Sequence, residues 1–222
     1  MSDRKVKKVD KPQICAALKL FGKMPGWQYA VKTLEKINEE CPGFGDLECF
    51  IKTAAVNGLY STNLYDVGLM AFHVTEVFKT IDDRALIASK SRCLDLVNKI
   101  SILNYPDGKI KWHVSFGSKF CHFFVNNGFP ILDTYAIAAL KRHDESFRGD
   151  SKDKRYPAFV CSIETVRDLS KCSIRELDYY LWLRGMLMAF DSNPEAKLSR
   201  EFKNVAASND DDIRTLRSEN DP

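Results

Sequence analysis

Apolar residues in this 222-residue chain recur at intervals of three and four, and strict alternation is scarce. That period leaves helices packed against helices as the available architecture. In GWQYAVKTLEKINEE the series Trp27, Ala30, Val31, Leu34 and Ile37 falls on one helical face. DLECFIKTAAVNGLY repeats it with Leu47, Phe50, Ile51, Ala54 and Ala55, between an Asp46 cap and Gly58. STNLYDVGLMAFHVTEVFK carries Val67, Met70, Ala71, Val74 and Phe78, with Phe72 and His73 beside them read as core. DDRALIASKSRCLDLVNKISIL continues through Leu86, Cys93, Leu94, Val97 and Ile100. Farther on, TYAIAALKRH, SIETVRDLSKC and SIRELDYYLWLRGMLMAF read as helices, the last two opened by Ser162 with Glu164 and by Ser173 with Glu176. GKIKWHVSF at 108–116 is the best strand candidate and reads as helix or hairpin, after a turn at Pro106 and Gly108. The expectation is an all-α domain of roughly eight to ten helices.

A 45% hydrophobic content suffices for one compact domain or two lobes sharing a core, expected over residues 12–206. Seven cysteines without a CxxC pair indicate reduced, mostly buried thiols rather than a disulfide framework. No four ligands stand at metal-site spacing, so neither metal nor cofactor is expected. The chain has no N-terminal apolar leader and no long uncharged apolar run. It is expected to be neither secreted nor membrane-spanning, and to work as a monomer in the cytoplasm (with the nucleoid) or the nucleus.

The net charge of +3 is too small to identify a nucleic-acid partner by itself. Residues 1–11 hold five Lys/Arg against two Asp, and residues 207–222 hold two Arg against five acids. Both ends read as flexible, solvated tails, the basic one able to add salt-sensitive affinity for phosphates.

The stretch SFGSKFCHFFVNNGFPILDTYA, residues 115–136, carries the chemistry. Gly117 and Ser118 read as a tight turn that places Lys119 in the first turn of an aromatic helix. There the positive end of the helix dipole and the nearby Phe120, Phe123 and Phe124 favour a neutral, nucleophilic amine able to form a Schiff base. The alternative is a surface lysine that snorkels past the aromatics into water. Asp133 reads as the N-cap of the next helix, a role compatible with assisting a reaction beside it. A turn at SFGSK would also aim successive backbone N–H groups outward, as phosphate sites do.

These residues resemble the signature of the helix-hairpin-helix DNA glycosylases: G-(V/I)-G-x-K, an apolar helix, then an aspartate at the next helix cap. The likeness is closest to the 8-oxoguanine DNA glycosylase branches. Ser115-Phe116-Gly117-Ser118-Lys119 stands on the hairpin, Cys121-His122-Phe123 on the run after the lysine, and Ile131-Leu132-Asp133 on the aspartate segment. The resemblance implies a two-lobed helical fold with the motif near 100–127, and a glycosylase with β-lyase activity on double-stranded DNA containing an oxidised purine. Lys119 would attack C1′ and Asp133 would assist base departure. Ser115, Phe116, Gly117, Ser118 and Lys111 would hold the DNA backbone.

A flipped base needs aromatic faces. Trp27, Trp112, Tyr179 and Trp182 are candidates, the last two sharing a helix face, and burial in the core is the alternative for each. His122 lies one helical turn beyond Lys119 and either tunes it or serves as a structural histidine. Lys109, Lys111, Lys141, Arg142, Arg148, Lys152, Lys154 and Arg155 could form a phosphate-facing rim or a solvated, charged loop. Two other classes remain open: a catalytically inactive helix-hairpin-helix DNA-binding module, and a helical protein-interaction domain.

Overall fold

The structure, a computed structural model, describes residues 6–81, 90–147 and 155–218. Among the described residues the chain is all-α apart from one short hairpin and one isolated bridge. In order the elements are α1 (Lys11–Gly22), α2 (Pro25–Glu40), α3 (Asp46–Tyr60), α4 (Val67–Lys79), α5 (Lys90–Ser101), β1 (Ile102–Asn104) and β2 (Ile110–Trp112). There follow α6 (Val114–Phe124), α7 (Thr134–His143), α8 (Arg155–Ser170), α9 (Ile174–Ser192), α10 (Arg200–Ala206) and α11 (Asp211–Arg217). Leu86, Arg148, Lys152 and Lys154 lie outside the described residues, as does the side chain of Cys93.

The chain divides into two compact units, with boundaries after Tyr29, after Leu132, between residues 147 and 155, and after Pro157. The first holds α1, α7, α9, α10, α11, the opening of α2 and most of α8. Its axis is α9, which packs against α7 and α1. That helix buries Leu177, Tyr180, Leu181, Leu183, Met186 and Leu187, an apolar surface too wide for a one-sided helix and suited to a central one. Its start is the expected capping box: Ser173 Oγ accepts from Glu176 N, and the Glu176 carboxylate accepts from Ser173 N at 2.8 Å.

Both ends depart from the expected tails. Val6 pairs with Asp144, Lys7 N donates to His143 O at 2.7 Å, and Val9 is buried with its N–H donating to Ser170 Oγ. The basic segment is docked from residue 6 because Val9 has an apolar site to fill. At the other end, α11 buries Ile213 and Leu216 beneath the acids that had suggested a solvated tail. Ser162 is also reassigned. It lies inside α8, buried, and donates to Asp144 Oδ2 instead of capping a helix.

The second unit holds the rest of α2, then α3 to α6 and the hairpin. Phe44 and Phe78 stack with centroids 3.8 Å apart, and Phe120 leans against both. The α4 stripe of Met70, Ala71, Val74 and Phe78 is buried as its period requires, but Phe72 is 60% exposed, about 200° around the helix from Met70. Helix α3 is turned the other way from its apolar stripe. Leu47 and Phe50 face out, while Cys49, Lys52, Thr53 and Val56 face in. Lys52 makes that orientation tolerable: Nζ donates to Gly43 O at 2.7 Å and lies 4.2 Å from the Phe44 ring centroid and 5.2 Å from that of Phe124. Burial pushes its pKa down from the ordinary lysine value, with the neighbouring Cys49 opposing.

Candidate functional site

The turn expected at Gly117 is not there. The chain reverses earlier, in the β1–β2 hairpin, where Gly108 adopts φ +81° and its N–H donates to Tyr105 O at 2.9 Å. Helix α6 then starts at Val114, with His113 as its N-cap. Lys119 is the sixth residue of that helix, beyond the first turn where a dipole acts on an amine. The Gly117 N–H is spent on His113 O at 2.9 Å, so SFGSK forms no outward nest of donors. Phe116 and Ser118 are fully buried and Gly117 is buried between helices, which removes all three from contact with a DNA backbone. Ser115 is half-buried, and Lys111 is exposed on β2 with Nζ over the Tyr105 and Tyr65 rings.

Gly117 is required by packing. A Cβ there would clash with Ser101 Oγ and sit 3.0 Å from Val97 O, so α5 and α6 approach through the missing side chain. Gly117→Ala is therefore expected to destabilise the protein by about 1–3 kcal/mol, despite alanine's better helix propensity. Urea unfolding checks this, and an unchanged or raised midpoint would refute the close approach.

The Lys119 amine lies within the fold, the residue being 3% exposed. Its Nζ donates to Ser115 Oγ at 2.7 Å, one helical turn back, and stands 5.8 Å from the Tyr60 ring centroid. The side chain is thus neither a snorkelling surface lysine nor at a helix start. Tyr60 carried no readable signal, because it reaches Lys119 only through the packing of α3 on α6.

His122 is buried, and its Nδ1–H donates to Phe129 O at 2.8 Å, since a carbonyl can only accept. It serves the loop after α6. Ser118 holds the same loop farther along: Leu132 N donates to Ser118 Oγ at 3.1 Å, and Tyr156 Oη donates to Pro130 O at 3.1 Å. The residue before Lys119 therefore pins the residue before Asp133. Asp133 caps α7 as expected, with Oδ1 accepting from Ala136 N at 2.8 Å.

The proposed base-pocket residues separate. Trp27, Tyr179 and Trp182 cluster in the first unit around Phe21, each half-buried, while His122 belongs to the second. Trp27 meets Trp182 edge-on at 4.7 Å, and Phe21 lies 4.2 Å from Tyr179 and 6.5 Å from Trp182. The basic rim separates as well. Lys109 pairs with Asp107 at 2.6 Å on the hairpin and Arg155 also belongs to the second unit, whereas Lys141 and Arg142 end α7 in the first. No group of three His, Cys, Asp or Glu that could hold a metal occurs among the described residues.

Comparison with known proteins adds the following. A family model named HI_0787_N, described as an N-terminal domain, matches residues 13–128, a span that includes Lys119 and stops short of Asp133. An uncharacterized protein of Haemophilus influenzae is 32% identical over 133 residues, 58% of this chain. The chain covers 62% of that relative's length. No solved structure matches.

Proposed function

We infer the function of this chain, a member of the HI_0787_N family, from the likeness of residues 115–133 to the glycosylase signature and from the place of Lys119, which is held inside the fold with Nζ donating to Ser115 Oγ. The proposed activity is that of a DNA glycosylase with β-lyase activity on an oxidised purine of the 8-oxoguanine kind, working where the chromosome is, in cytoplasm or nucleus. A Schiff-base lysine has to reach carbon uncharged, and a site withdrawn from water is where amines give up a proton most readily. Ser115 Oγ holds the amine without adding a charge.

In this reading Lys119, buried in the free protein, has to be uncovered when DNA binds; Nζ then attacks C1′ of the damaged nucleoside as the bond to the base breaks, and the base leaves with a proton. The sugar opens to a Schiff base on Lys119, O4′ taking the amine proton. Loss of the C2′ proton then expels the 3′-phosphate and nicks the strand. Asp133, held at the α7 cap, is assigned the steadying of the cation that develops as the base departs.

Borohydride should trap the protein on duplex DNA containing 8-oxoguanine, and Lys119→Gln should abolish the trapped complex. Asp133→Asn keeps a good capping residue while removing the charge, so base release should fall by about 10²-fold or more with the fold intact. Trapping by Lys119→Gln at the wild-type level would defeat the assignment of the nucleophile. DNA binding without base release would favour the second reading, a binding module, for which the grouping of Lys7, Lys8, Lys141, Arg142 and Arg184 around one cleft of the first unit speaks.

A further inference from the structure

The first unit contains a cleft of about 290 Å³ that has no part in the chemistry assigned to Lys119. It opens where the docked N-terminal segment meets the end of α7 and the middle of α9. Five cationic side chains line it, Lys7, Lys8, Lys141, Arg142 and Arg184, against one acid, Glu145. Three different stretches of chain supply them, so one basic run does not explain the cluster. The C-terminal dipole of α7 welcomes Lys141 and Arg142, yet it offsets only about half a charge. Lys8 is paired with Asp10 at 3.3 Å, while Lys7 and Lys141 form no ion pair among the described residues. Arg184 is 9% exposed, so its charge sits in the cleft wall and not in open solvent.

Several uncharged polar groups of the cleft are already engaged, though His143 Nδ1 is not. Gln13 Nε2 donates to Ser218 O at 2.8 Å, and His143 Nε2 is 2.9 Å from Tyr180 Oη. Lys7 and Lys141 offer a ligand positive charge on exposed, flexible stems, which does not read a base edge. Such a surface selects for repeated negative charge.

We propose that this cleft binds the phosphodiester backbone of a polynucleotide, without reading its bases. The choice of a polynucleotide over other polyanions rests on the repair-enzyme reading above; the charge and placement of the cleft do not.

The test is fluorescence anisotropy of the full chain with a short, labelled, undamaged duplex across a salt series. Lys7→Glu with Lys141→Glu should weaken binding by about tenfold or more and reduce the slope of log affinity against log salt by about 2. Both positions are exposed, and an equal charge change at exposed Lys32 and Lys197, outside the cleft, should leave both quantities near wild type. An unaltered slope in the cleft double variant would overturn the proposal. So would displacement of the duplex by inorganic phosphate or a nucleoside triphosphate at concentrations as low as unlabelled duplex requires, since the site would then be built for a small phosphate ligand. Binding to vesicles of anionic phospholipid, lost in the cleft variant and unaccompanied by duplex binding, would overturn it too. Lys119→Gln should bind the undamaged duplex as wild type does. Loss of trapping and loss of this binding are thus separate results.

Discussion

Replacing Gly185 with alanine is expected to destabilise the protein by about 3 kcal/mol or more, lowering the melting temperature by roughly 6–12 °C. Gly185 lies inside α9, where alanine would ordinarily gain about 1 kcal/mol of helix propensity. Here a Cβ would overlap Tyr135 O and lie 2.5 Å from Tyr135 C and 2.7 Å from Tyr135 Cα. All three are backbone atoms, so no rotamer change relieves the clash. Helix α7 must move off α9, opening a packed interface along its length. Because Asp133, the N-cap of α7, lies two residues before Tyr135, the glycosylase proposed above would lose base release together with stability. Urea unfolding with an unchanged m-value and a lowered midpoint is the expected result. A midpoint at or above wild type would mean that the two backbones are not in contact.

Acid should weaken the fold through His143. Burial pushes its pKa down from 6.5 to about 4, and the positive charges of Arg184 and Lys7 push the same way. The backbone of Lys7 and Lys8 opposes that shift without reaching hydrogen-bonding geometry at Nδ1, which is buried and unpartnered. Its neighbour Tyr180 is pushed up to about 12 by burial, so both rings are uncharged at neutral pH. The unfolded chain takes up a proton on His143 below pH 6.5, and the folded chain does so only near 4. Stability held above pH 6.5 is therefore lost as pH falls to 4, by about 3 kcal/mol from this residue. His143→Gln should remove that share of the decline, while the carboxylate contributions common to both proteins cancel. If wild type and variant lose equal stability between pH 7 and pH 4, His143 is not held neutral by the fold.

The features that were legible in the sequence are those decided within one or two helical turns. The apolar period placed most of the helices, and the spacing of Ser173 and Glu176 specified a capping box. Asp133 before an apolar run specified a cap, and the three-residue step from Tyr179 to Trp182 placed both on one face of α9. Each depends on groups close in sequence, whose geometry follows once the backbone is helical.

The readings that changed all involve a partner distant in sequence. Val9 and Leu216 lie in charged, tail-like stretches, and only their burial in the first unit reveals the docking. Lys52 points inward because Gly43 O and the rings of Phe44 and Phe124 receive its charge, overriding an apolar stripe that would otherwise set the face of α3. Arg184 offered a signal, a lone charge in the apolar run LWLRGMLMAF, but its cleft is assembled with residues from the N-terminal segment and α7.

Gly117 and Lys119 make the division plain. The letters SFGSK fit a turn feeding a helix and equally fit a helix with a glycine on its contact face, because glycine permits both a reversed backbone and a close approach. The sequence alone determined that this chain is helical and that Lys119 and Asp133 bracket one loop. The tertiary structure decided that Gly117 faces α5, that the chain reverses at Gly108 instead, and that the lysine amine lies buried on Ser115. Helix formation is a matter of neighbours along the chain, whereas the use of a missing side chain depends on which helix arrives to fill the space.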